Sequence, residues 1–184
     1  MRLLTLLTLL FLSVSVQAQE RPTQLQDGET LRGDFTQLRY LNGFNHAIKS
    51  SGVFEFTEET GLDWQTQTPF ATRLIVSEKG MVQYVDGVET LKVTPDKFPA
   101  LSTLHEVLTL SMTGAWDQLE AKYQASLEAI EGGWQLTFKP DGEAPFEAVT
   151  LTGAEYLDQL VIRKPQGDRD EITFSNQHVT KARP

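Results

Sequence analysis

Two periodicities divide the chain. From residue 31 onward apolar and polar positions alternate in short runs, the period of strands with one buried face. Leu31, Gly33, Phe35 and Gln37 share one face of the first run; Ile48, Ser50, Gly52, Phe54 and Phe56 share one face of the second. Leu62, Trp64 and Thr66 alternate with polar neighbours up to Pro69, and further strands are expected over residues 72–77, 81–85 and 88–94. Asp86-Gly87 joins the last two as a tight hairpin, since glycine accepts the positive φ such a turn requires. After a turn at Asp141-Gly142 the alternation resumes over 146–153, 156–163 and 171–174, with 164–168 as a connection.

The middle of the chain behaves differently. Residues 95–114 read as loop and helix, with Leu101, Leu104, Val107 and Leu108 at helical spacing and Ser102 as the expected N-cap. Residues 117–130 fit two periods. Leu119, Tyr123, Leu127 and Ile130 fall on one helical face, while Tyr123, Ala125, Leu127 and Ala129 alternate as a strand would. Gly132-Gly133 reads as a hairpin turn into a strand carrying Trp134, Leu136 and Phe138, so a short helix over 116–121 followed by a strand is the expected arrangement. The inventory is about ten antiparallel strands with one helical interruption, a mainly β chain with a few helices shaped as a barrel or sandwich.

The first eighteen residues stand apart. Arg2 precedes a nearly unbroken apolar run over residues 3–16, and a small-residue exit follows at Ala18. That is the pattern of a cleaved signal peptide, too short to span a bilayer, and it implies export, with the periplasm as the expected compartment. Residues 19–184 are expected to form one domain. The chain carries 16 basic against 25 acidic residues, net −9, with no basic stripe, which excludes nucleic acid as a partner. It contains no cysteine, so it forms no disulfide, thiolate metal site or thiol nucleophile, and no lipidated cysteine follows the leader.

Candidate chemistry is sparse. His46, His105 and His178 are expected in a turn, a helix and the C-terminal tail, and read as surface histidines rather than catalytic bases. No nucleophile elbow, phosphate-cradling glycine loop or His-Glu-x-x-His is present. Asp168, Asp170 and Glu171 lack the oxygen-rich spacing of a strong calcium loop and read, like Glu58-Glu59, as a solvated hairpin tip. No enzyme activity, cofactor or metal is therefore expected. What the chain does supply is a set of large apolar residues, each on one face of its strand. Phe35, Phe54, Phe56, Trp64, Leu74 and Val76 come from the first half, and Trp134, Leu136, Phe138 and Ile172 from the second. Each alone is a core residue. Together, on an incompletely closed sheet curled around its apolar face, they would line a cavity for an aliphatic guest. The helix carrying Leu101, Leu104, Val107 and Leu108 would be its movable lid.

An ordered series of segments then resembles one family. Phe35-Thr36-Gln37-x-Arg39, Ser50-Ser51-Gly52-x-Phe54, Gly61-Leu62-x-Trp64-x-Thr66-x-Thr68-Pro69-Phe70 and Leu74-Ile75-Val76-Ser77 are similar to the opening strands of the LolA family of periplasmic lipoprotein carriers. The similarity continues through Gly133-Trp134-x-Leu136 to Asp170-Glu171-Ile172-Thr173-Phe174. The resemblance implies an unclosed antiparallel β-barrel under a helical lid, with a cavity for the acyl chains of a lipoprotein. It also implies an inner-membrane transporter as donor, an outer-membrane acceptor and a monomeric carrier. Three features depart from the family: no arginine within 58–61, a helix shortened to residues 24–31 at best before the first strand, and no Phe-x-Phe-x-Pro-Pro-Gly segment near the end. These departures look like those of relatives that carry other amphiphiles, so a lipoprotein and another apolar lipid both stay open as cargo. A lipid-sensing module of the same fold that regulates a protein partner is the alternative to carriage.

Overall fold

The computed structural model describes residues 25–98, 100–139 and 146–181, so the expected leader and the Asp141-Gly142 turn lie outside the described residues. Six strands come first: β1 (Glu29–Tyr40), β2 (Ile48–Thr57), β3 (Gly61–Thr68), β4 (Thr72–Ser77), β5 (Gly80–Val85) and β6 (Val88–Val93). Two helices follow, α1 (Ala100–Thr113) and α2 (Trp116–Tyr123). Then come β7 (Ser126–Ile130), β8 (Gly133–Phe138), β9 (Ala148–Gly153), β10 (Leu157–Arg163) and β11 (Arg169–Lys181). All strands lie in one antiparallel sheet, in the order β6-β5-β4-β3-β2-β1-β11-β10-β9-β8-β7.

This order is two meanders stitched together where β1 pairs with β11. The edge strands β6 and β7 do not pair, so the sheet curls without closing. The chain must still pass from one edge to the other, and it does so through α1 and α2. α1 packs against β3 and β5, and α2 against β7. The crossover is thus also the cover of the barrel, as the resemblance implies.

The inner face is built by alternation. Phe35 in β1 stands opposite Gly52 in β2, and Phe54 opposite Trp64 in β3. Because Gly52 has no side chain, the Phe35 ring reaches past β2 and stacks on Trp64, centroids 3.6 Å apart. A Cβ at Gly52 would lie 1.9 Å from the Gln65 carbonyl oxygen, so no other residue fits there. At the β5–β6 hairpin Asp86 and Gly87 have φ of 50° and 78°, as a tight turn of this class requires.

Several sequence expectations need correction. Ser102 lies inside α1 rather than capping it. The first strand begins at Glu29, so residues 29–31 are strand and not the end of a shortened helix. Residues 116–130 are a helix and a strand, as expected, with the turn at Glu131-Gly132 and Gly133 already in β8. The last strand does not end near Phe174 but runs to Lys181, which places His178 in a strand rather than a tail. The cause is a bulge: Asp34 pairs with Ser175 but Arg32 with His178, and Asn176 has φ of 53°. An extra residue shifts the in/out alternation by one, so a strict period of two reads the strand as ending where the bulge begins.

Candidate functional site

All ten residues expected to line a cavity belong to the hydrophobic core or pack against it, in two groups. Phe35, Phe54 and Trp64 form one aromatic cluster with Phe174, whose ring meets Phe54 at 5.2 Å and Trp64 at 6.1 Å, edge to face. Phe56, Leu74, Val76 and Ile172 extend this wall, in register with Leu62, Trp64 and Leu160. Trp134, Leu136 and Phe138 of β8 form the second wall, next to Leu151 and Val149 of β9. Against it α2 inserts Trp116 and Leu119, both fully buried, and Tyr123. Trp116 lies 4.3 Å from Trp134 and Tyr123 5.8 Å from Phe138, centroid to centroid. The sequence reading missed Phe174, although it sits two residues beyond Ile172 on the same face. It also missed Trp116, Leu119 and Met112 on the helices, where apolar spacing was the available signal.

The expected hollow is nearly closed. Most of these side chains are buried against one another and against the helices. Among the described residues an apolar pocket of about 60 Å³ lies between Val107, Leu108, Ser111 and Met112 of α1 and Val149, Leu151, Leu157, Leu160 and Ile162 of β9 and β10, with Phe146 beside them. That is about the space of two waters, far short of an acyl chain. Val107 and Leu108 of the expected lid border it, but none of the ten expected wall residues does. Leu101, in the first turn of the same helix, is buried, while the Leu104 side chain is outside the described residues. An acyl chain fits in this pocket only if α1 withdraws.

One polar tie links α1 to α2. The Tyr123 hydroxyl donates to Glu106 Oε2 at 2.7 Å, and Lys122 Nζ donates to Glu106 Oε1. Burial pushes the Glu106 carboxyl upward, but the bonds from Lys122 and Tyr123 outweigh it and hold it below its ordinary range. Burial, reinforced by Glu106, holds the Tyr123 hydroxyl protonated well beyond its ordinary value. Both helices bury apolar side chains, and the tie fastens α1, which borders the cavity, to α2.

The acidic cluster near residue 170 is not a solvated tip. Asp170 is 3 % exposed and accepts hydrogen bonds from Arg39 Nε at 2.8 Å, Gln37 Nε2 at 3.2 Å and Lys164 Nζ. Its carboxyl is raised by burial but brought below the usual range by Lys164 and Arg39. Glu171 is taken up by Arg169, and Asp168 accepts the Asn42 backbone N–H. Among the described residues no group of three His, Asp or Glu side chains is placed to hold a metal ion. His46 and His178 are exposed and His105 is half-buried on α1. A larger open depression of about 650 Å³ lies along the ends of β3, β4 and β5, lined by Gln65, Gln67, Arg73, Ile75 and Tyr84 among others. Arg73 is held there by two-pronged bonds to Asp63, which keep its guanidinium charged.

No helix among the described residues is long and apolar enough to cross a membrane. The family model described as outer membrane lipoprotein carrier protein LolA matches residues 26–184. No curated protein matches the sequence. Among solved structures, a LolA superfamily protein from Nitrosomonas europaea is similar at 7 % identity and TM-score 0.45, covering 90 % of this chain and 90 % of that one. A structure of the Pseudomonas aeruginosa MucA/MucB complex is similar at 11 % identity and TM-score 0.44; 85 % of this chain is covered, against 53 % of the chain it matches, so this chain spans about half of it. LprF from Mycobacterium bovis is similar at 16 % identity and TM-score 0.30, covering 83 % of this chain and 89 % of that one.

Proposed function

The chain belongs to the family of the outer membrane lipoprotein carrier protein LolA, and on that premise we propose that it carries an acylated cargo through the periplasm. The cargo is the acyl part of a lipoprotein or of a related amphiphile. Residues 1–18 act as the export signal, and residues 19–184 work as one monomeric, non-enzymatic domain without a cofactor. An inner-membrane transporter supplies the cargo and an outer-membrane acceptor takes it.

The observation that supports this reading is the seating of α1. A helix covers the apolar inner face of an unclosed sheet, over a small dry gap, with its Glu106 tied to α2. When α1 withdraws, the walls carrying Phe35, Phe54, Phe56, Trp64, Leu74 and Val76, and opposite them Trp134, Leu136, Phe138 and Ile172, take the guest. Leu101, Leu104, Val107 and Leu108 are the side chains that the guest replaces. Each methylene transferred from water contributes about 0.8 kcal/mol, enough for a long chain to compete with the helix.

The test is uptake of a fluorescent long-chain fatty acid and its displacement by an acylated peptide. Phe54→Asp or Trp64→Glu should abolish uptake; variants that remain folded and still load would move the binding site elsewhere. Passage of the probe from donor to acceptor vesicles separates carriage from sensing. Tight binding without transfer would favour a lipid-sensing module that regulates a protein partner.

A further inference from the structure

The two ends of the barrel differ in a way the carrier reading does not use. At one end lie the three hairpin tips joining β1 to β2, β3 to β4 and β5 to β6. The strand order sets them side by side, about 10 Å from each tip to the next. Every tip exposes a large apolar side chain: Phe44 at 72 % and Ile48 at 53 % on or beside the first, Phe70 at 78 % on the second, Val88 at 64 % on the third. A single exposed apolar residue needs no explanation, but a row of them at one end does.

Charge follows the same division. Over residues 41–49, 68–72 and 85–88 the row holds one acid, Asp86, against Lys49, with His46 nearby, and the β10–β11 connection at the same end adds Asp168, which accepts the Asn42 backbone N–H, and Lys164. At the opposite end the tips at 57–60 and 77–80 carry Glu58, Glu59 and Glu78 against Lys79 and expose no large apolar side chain, while Phe98 at 46 % and Ile130 at 43 %, less exposed than Phe44 and Phe70, lie elsewhere at that end. In a chain of net charge −9, these apolar tips and the β10–β11 connection beside them are thus nearly neutral, while the tips at 57–60 and 77–80 are acidic. Such a molecule meets an anionic surface in one orientation only, because the acidic end is repelled. Separate tips, each bearing one or two apolar side chains, suit a bilayer interface, where each ring finds its own depth among the headgroups. The 650 Å³ depression beside the second and third tips offers Gln65, Gln67 and Tyr84 as donors for headgroup oxygens.

We infer that this end of the barrel docks on the surface of an anionic phospholipid bilayer, with Phe44 and Phe70 inserted among the headgroups and Lys49 facing lipid phosphate. The inference stands whether or not the interior takes a cargo. Since the chain has no cysteine, Asn45→Cys, Ala71→Cys and, at the far end, Lys79→Cys each create one labelling position. Each is labelled with an environment-sensitive fluorophore and mixed with vesicles of phosphatidylcholine and phosphatidylglycerol. The expected result is brighter, blue-shifted emission at positions 45 and 71 and none at 79. Adding Phe44→Ser or Phe70→Ser should weaken vesicle affinity roughly tenfold each. Silent probes at the tips, an equal response at position 79, or indifference to the serine substitutions would overturn the inference. So would a tip response that needs only raised protein concentration and no vesicles, since the tips would then meet a second copy of the chain.

Discussion

If α1 is the movable cover, loosening its tie to α2 should make loading easier. Tyr123→Phe is the cleanest perturbation. It removes the 2.7 Å bond to Glu106 but keeps the ring that packs 5.8 Å from Phe138. A hydrogen bond to an ionised group is worth about 1.5–3 kcal/mol, and the half-buried site with Lys122 still in place argues for the low end, about 1.5 kcal/mol. That loss falls on the closed form. A guest whose binding-competent form is a minor population then gains apparent affinity by the same factor, roughly tenfold. Fluorescent fatty-acid titration reads the gain, and a thermal melt should show a loss of about 3–6 °C. The pH dependence gives an independent check. Glu106 has its folded pKa depressed, so its contribution is present above the ordinary carboxyl value and is lost as pH falls through the lowered one. Wild type should therefore approach the variant's affinity in acid. Tyr123, with its pKa raised, keeps its proton from neutral pH well into base, so no second change is expected on the alkaline side until far above its ordinary value. A variant that melts earlier yet binds no more tightly would refute the latch and leave Glu106–Tyr123 a plain structural bond.

Two further predictions concern the frame that holds the walls. Asp170→Asn leaves Arg39 and Lys164 facing a neutral amide, which should cost on the order of 2 kcal/mol in urea unfolding; an unchanged midpoint would show that the cations relax into solvent without loss. Because the Asp170 pKa is lowered, the wild type should lose this contribution as pH falls, and its acid-unfolding curve should converge on the variant's. Gly52→Ala places a methyl carbon 1.9 Å from the Gln65 carbonyl oxygen, so β2 and β3 must part. A folded, soluble alanine variant with native near-ultraviolet dichroism would contradict that packing.

Most of the sheet was legible because its strands obey a strict period of two. β2 and β4 begin and end where alternation does, and the Asp86-Gly87 turn announces its own geometry. Legibility failed where the backbone breaks its own rule. The bulge at Asn176 hides the second half of β11, so Gln177 and Val179 look out of phase with Ile172 and Phe174. Asp170 was read as surface because carboxylates normally are. Only the pairing of β1 with β11 brings Arg39 beside it, from a position 131 residues away in the chain. The inner face was visible as a set of apolar strand positions, but not which of them the helices cover. That depends on the path taken from β6 to β7, which periodicity does not encode.

On the proposed carrier reading, the same path would make loading reversible. A closed barrel would have to break backbone ladders to admit a guest, whereas here the edges β6 and β7 do not pair with each other, and side-chain burial and the Glu106 tie hold the cover down. Among the described residues, Leu101, Val107, Leu110 and Met112 are the buried apolar side chains of α1. At about 2–3 kcal/mol each, they hold on the order of 10 kcal/mol of apolar burial. An acyl chain of ordinary length, at about 0.8 kcal/mol per methylene, brings a gross gain of the same order. On that reading loading would exchange one hydrocarbon filling for another, and the small difference would leave the direction to be set by membranes and partners. Charged substitution within α1 tests the balance. Leu108→Asp lies at the edge of the gap, where it should weaken closure without placing a charge deep in the wall. It should tighten fatty-acid binding while lowering the melting temperature. Weaker binding from that variant would mean that α1 contacts the guest directly and closes over it, rather than giving way to it.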